Sequence, residues 1–114
     1  LGLGAADDDE FHEHLPELFP HKPGARELFE DAASRAEFAR AQAWLQTGYL
    51  IVGIRALGLA AGPMAGFDAA GIDADLLAGT SLRSLVVINV GLPGEGSHFE
   101  RLPRHDADVA ITTL

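Results

Sequence analysis

The chain has 114 residues, 47% of them hydrophobic and 22% charged, the balance of a globular protein with one small core and not of a disordered tail. Seventeen acidic against eight basic residues give a net charge of −9, a field that repels phosphate backbones and anionic lipid and argues against nucleic acid as a partner. With no cysteine, a disulfide framework, a thiolate nucleophile and a Cys-ligated metal are excluded, a reducing cytoplasm is the expected setting, and any redox chemistry needs a borrowed cofactor.

The opening run Leu1-Gly2-Leu3-Gly4-Ala5-Ala6 lacks the basic region and long apolar core of a signal peptide. It reads as a strand, entered part-way along, that meets solvent at Asp7-Asp8-Asp9-Glu10. Gly2-Leu3-Gly4 has neither the third glycine nor the following helix of a dinucleotide-binding turn. The acidic residues favour a helix start, and Phe11, Leu15, Leu18 and Phe19 continue at helical spacing. Pro16 and the Pro20-His21-Lys22-Pro23-Gly24 cluster keep that element short and follow it with a loop. His12 and His14, among Asp7 to Glu13, suggest metal ligands at first sight. Positions i and i+2 of a helix point about 200° apart, so one ion cannot take both, and a solvated acidic helix start is the better reading.

The spacing predicts a long helix from Ser34, which forms an S-x-x-E capping box with Glu37, to Gly58, a left-handed stop. Phe38, Ala41, Leu45, Tyr49, Val52 and Ala56 form one apolar stripe, and Tyr49 to Ile54 is apolar on every side. Such a helix, about 37 Å long at 1.5 Å per residue, calls for burial at a domain centre or a subunit interface, with Trp44 and Tyr49 as packing residues. The apolar stretch from Tyr49 to Met64 is broken by Gly53, Arg55, Gly58 and Gly62, so it is no membrane span. An extended passage over Leu59 to Met64 leads to a short helix over Asp73 to Ala78, stopped at Gly79. Ser84 to Gly91 reads as a central strand covered on both faces. A glycine-rich turn from Leu92 to Ser97 precedes a tail too short to build anything alone. His21, His98 and His105 stand apart, with no triad-like arrangement.

Three stretches together carry a family likeness: Leu15-Pro16-Glu17-Leu18-Phe19-Pro20-His21, then Arg55 through Gly62-Pro63-Met64-Ala65-Gly66-Phe67-Asp68, then Arg101-Leu102-Pro103-Arg104. In order and spacing the chain resembles the FMN-dependent nitroreductase family, nearest to its malonic semialdehyde reductases. The resemblance implies an α+β fold with a four- or five-stranded mixed sheet, in which residues 1–114 are the C-terminal part of one domain whose N-terminal half is absent. It implies a homodimer with FMN at the subunit interface, NAD(P)H as co-substrate, and a small aldehyde or nitro compound reduced by ping-pong hydride transfer. Pro63, Met64, Ala65 and Gly66 match the segment that lies along the isoalloxazine, where the N–H of Ala65 or Gly66 reaches N5; Arg101 matches an arginine on the FMN phosphate. Some family members have Glu at the position of Ala65, a difference bearing on substrate choice. The phosphate-gripping Arg/Ser segment of the family's N-terminal half has no counterpart, which leaves a second reading: a non-catalytic fragment that dimerises through the long helix and binds no flavin. No residue takes a catalytic or metal-ligating role. Without the likeness, Gly62-Pro63 is a turn and Arg101 an ordinary surface arginine.

Overall fold

The computed structural model describes residues 2–6, 8–97 and 99–112, with side chains from residue 11 onward. The expectations placed on Leu1, Asp7, His98 and the acidic side chains before Phe11 lie outside the described residues. Three strands, β1 (Gly2–Ala6), β2 (Ala60–Met64) and β3 (Arg83–Gly91), form one antiparallel sheet in the order β1-β3-β2. The chain is α+β. The mixed sheet of four or five strands implied by the resemblance is not what these residues form: every described pairing is antiparallel.

β3 is the central strand because Leu85 to Ile88 are apolar on both alternating faces, and all four are buried. Val86 and Ile88, each 1% exposed, meet Ile54 of the long helix, with Ile51, Leu59 and Ala61 packed around them. β1 joins β3 with a register shift between Gly4 and Ala5. β2 takes the other edge, where Pro63, lacking an N–H, is tolerated.

The first helical segment is split by the helix-breaking residues that the sequence suggested: α1 (Asp8–Glu13), α2 (Leu15–Leu18) and a 3-10 turn over Ala25–Phe29. Phe11, Phe29 and Phe38 lock these pieces to the long helix, with ring centroids 4.8 to 5.5 Å apart. Leu15 is fully buried beneath them.

The long helix α3 runs Ala32–Ala56. Its N-cap is Asp31 and not Ser34: the Asp31 carboxylate accepts the Ser34 N–H at 2.8 Å, so Ser34 stands inside the first turn as a donor. The C-terminus ends as expected. Gly58 adopts φ +78°, and the Gly58 and Leu59 N–H groups donate to the Arg55 and Ile54 carbonyls, closing a Schellman turn. The Arg55 guanidinium donates to the Leu59 carbonyl at 3.2 Å. α3 packs on the sheet through Ile51 and Ile54, and Ala39 and Thr47 are also buried along it. The later part of the stripe read from the sequence faces the other way: Leu45, Tyr49 and Val52 are 56, 73 and 66% exposed, whereas Phe38 joins the aromatic cluster. The molecule is a slab 25 Å thick in its shortest dimension, and its second half of α3 is not enclosed by this chain.

α4 spans Ala69–Leu76, four residues earlier than the sequence reading, because Asp68 caps it by accepting the Gly71 N–H at 3.0 Å. Past β3 the described residues are exposed and irregular until the single turn α5 (Ala107–Ala110). Among the described residues no helix is long and apolar enough to cross a membrane.

Candidate functional site

The candidate cofactor segment straddles the end of β2. Pro63 and Met64 are its last two strand residues, paired with Ile88 and Val87, and so belong to the sheet and not to a free loop. Ala65 and Gly66 follow without regular structure, both exposed. Their N–H groups have no hydrogen-bond partner among the described residues. A Cβ built on Gly66 would meet nothing within 4 Å, so the space beside this backbone is open. Two adjacent donors next to open space, at the rim of a buried sheet, can receive an acceptor atom on a planar group lying along residues 63–66.

Both ends of the segment are anchored on β3. Met64 is held by its register with Val87. On the far side, the Asp73 carboxylate of α4 accepts the Ser84 N–H at 2.8 Å, and the Ser84 hydroxyl donates to the Ala69 carbonyl at 3.4 Å. Hydrogen bonding from Ser84, by hydroxyl and backbone N–H, holds the Asp73 carboxyl below the ordinary carboxylate range. Residues 65–68 therefore bridge two points only three residues apart on one strand.

At the other end of β2, Ala60 to Gly62, Asn89 to Pro93 and Ser97 line an open depression of about 430 Å³. Asn89 lies opposite Gly62, and the sequence reading gave it no role. Arg101 stands in the exposed irregular segment between β3 and α5, and no described hydrogen bond or ion pair ties it to residues 63–66. Arg104 turns back on its own chain, donating to the Leu102 and Pro103 carbonyls at 2.8 and 3.2 Å. Residues 63–66 thus lie together at the end of β2, and no described hydrogen bond or ion pair joins Arg101 to them.

The histidines are placed by local contacts. His14 lies 3.4 Å from Glu17, and His12 Nε2 is 3.3 Å from the Arg26 carbonyl oxygen. Among the described residues no group of three or more His, Cys, Asp or Glu could hold a metal ion. Asp68, Asp73 and Ser84 were missed as organisers of the site. The Asp68 cap has a sequence signal, an aspartate three residues before a small donor, which also marks Asp31 and Ser34. The Asp73–Ser84 bond spans eleven residues and has none.

No family model matches the chain. Among curated proteins it is similar to one named "Putative NADH dehydrogenase/NAD(P)H nitroreductase" from Streptomyces griseus, 48% identical over 110 residues, covering 96% of this chain and 56% of the relative. Relatives of the same name from Leptothrix cholodnii and Caulobacter vibrioides are 46 and 43% identical, each covering 94% of this chain and 55% of the relative. These relatives support the nitroreductase family. The chain spans about half the length of the nitroreductase relatives it matches. Their shared name carries NAD(P)H and a nitroreductase activity; neither a malonic semialdehyde substrate nor FMN is part of it.

Proposed function

We propose that this chain is the strand-end part of a flavin site in an NAD(P)H-dependent oxidoreductase, with FMN as the cofactor. The observation that carries the reading is the pair of unpartnered, exposed amides at Ala65 and Gly66 beside open space, on the segment with the family likeness. The residues fit the group on this side: Pro63 and Met64 would back a flat ring system, and the N–H of Ala65 or Gly66 would hydrogen-bond its N5. Arg101 would hold the phosphate once the tail after β3 is folded back, a role suited to a planar, always-charged guanidinium. Bound there, FMN would supply the hydride chemistry linking NAD(P)H oxidation to reduction of a small aldehyde or nitro compound in ping-pong order. The amides would stabilise negative charge at N5 with little reorganisation, because the segment that carries them is short and leaves the sheet directly at Met64. The small Ala65 side chain leaves room for substrate beside them.

The whole protein would work as a homodimer, with the exposed stripe of α3 covered by the partner. Titration of the chain with FMN, followed by flavin fluorescence and NAD(P)H oxidation, tests the reading. Binding should saturate, and Gly66→Val, which fills the open space, should weaken it by about tenfold or more, the equivalent of about 1.4 kcal/mol. A chain that leaves FMN fluorescence and its own spectrum unchanged sinks the proposal for these residues.

A second reading is favoured by the coverage: a chain spanning about half of its relatives and leaving Tyr49 73% exposed could act as a non-catalytic piece that dimerises through α3. It predicts dimers that take up no flavin.

A further inference from the structure

The segment that presents the two amides has no regular structure of its own, yet it is held at one end by the strand pairing of Met64 and at the other by side-chain contacts that neither the likeness nor the spacing suggested. Asp68 closes on the first turn of α4 so tightly that a Cβ on Gly71 would stand 2.6 Å from its Oδ2. The Asp68 carboxylate takes the Gly71 N–H, and its carbonyl takes the Ile72 N–H at 3.1 Å. This fixes the direction in which the chain leaves Phe67. Five residues on, Asp73 reaches across to the Ser84 N–H of β3, at the end of the strand beyond the Val87 pairing of Met64. The tether has one path: β3 at Val87, β2 at Met64, Ala65-Gly66-Phe67, the Asp68 cap, α4, then β3 again at Ser84. A closed circuit of about a dozen residues has few ways to move its short irregular part without breaking one of these bonds.

From this circuit we infer that Asp68 and Asp73 are positioning residues for the Ala65 and Gly66 amides, the first by capping α4 and the second by latching α4 to the Ser84 N–H. The inference rests on the flavin reading for its functional meaning. Its physical content, that two carboxylates set the order of the donor segment, does not need the flavin. Asp73 acts through a backbone donor, so the acceptor oxygen matters and the charge is secondary. Gly71 follows as the residue whose missing side chain lets Asp68 approach.

Backbone ¹⁵N relaxation on the 114-residue chain, without flavin, reads the order of residues 65 and 66 directly. Order parameters near those of the sheet, about 0.85, are expected for the unaltered chain, falling below about 0.6 in Asp73→Ala. Asp73→Asn keeps an oxygen for the Ser84 N–H and should restore the order. Ser84→Ala removes the hydroxyl's bond to the Ala69 carbonyl but keeps the N–H for Asp73, and should loosen residues 65 and 66 less than Asp73→Ala does. Asp68→Ala, which removes an exposed side chain and leaves the core intact, should also loosen residues 65 and 66 and decides the matter if Asp73→Ala does not fold. Unchanged order and shifts at Ala65 and Gly66 in Asp68→Ala, or an Asp73→Asn chain as disordered as Asp73→Ala, would overturn the inference. A parallel riboflavin titration separates the two claims. Absence of binding by the unaltered chain counts against the flavin reading alone, whereas binding that weakens about fivefold or more in Asp68→Ala and recovers in Asp73→Asn joins them.

Discussion

Asp31 and Asp73 do the same job at different distances, each holding the N–H of a serine, one to start a helix and one to pin a helix to a strand. Backbone and side-chain hydrogen bonds from Ser34 hold the Asp31 carboxyl below its ordinary range, as those from Ser84 do for Asp73. A carboxyl whose folded pKa is depressed contributes stability that is complete above its unfolded pKa and is lost as pH falls through the folded value. Thermal melts should therefore be insensitive to these two groups between about pH 5 and 7 and lose stability below about pH 4, where unfolded aspartates take up protons first. Asp31→Asn and Asp73→Asn should each flatten the acid limb. An acid limb as steep in the double variant as in the original chain would assign the loss to other carboxylates.

At the scale of elements, α3 shows what the amino-acid pattern reveals and what it hides. Its stop was legible because Gly58 is needed for a left-handed backbone at φ +78°. Gly58→Ala should cost about 1 kcal/mol in a denaturant melt, through the strain of a side chain on a left-handed backbone and not through a clash with distant groups, since nothing lies within 4 Å of the added carbon. Its start was misread. Ser34 and Glu37 have capping-box spacing, but Asp31 is the stronger cap and lies three residues upstream, so the helix begins at Ala32. The same preference placed α4 at Ala69, where the sequence reading had waited for Asp73. β3 was legible as a central strand because an unbroken apolar run over Leu85 to Ile88 makes sense only with both faces covered. The order β1-β3-β2 was not, because pairing depends on which distant edges are free, and Gly2 to Ala6 carries too few side chains to announce its partner. The segment 63–66 was singled out by likeness alone. Its neighbours Asp73 and Ser84 stayed hidden because a bond across eleven residues leaves no periodic trace.

For the whole molecule the decisive fact is that α3 is apolar on two opposite sides while this chain supplies a partner for one. Ile54 is spent on the sheet and Ala39 and Thr47 are buried; Leu45, Tyr49 and Val52 remain outside. If a second copy covers them, Tyr49→Asp should convert a dimer to a monomer on size-exclusion chromatography, raising the dissociation constant by about a hundredfold or more, with the melting temperature of the diluted chain little changed. A chain that elutes as a monomer before substitution would show that something other than a second copy covers this face.

The pairing of Leu3 with Val87 also sets a timetable for synthesis. A ribosome adding about 5–20 residues per second needs several seconds to make the intervening stretch. During that interval β1 has been produced while β3, its partner among the described strands, does not yet exist. The helices between them can form as they emerge, but this sheet cannot close before β3 arrives.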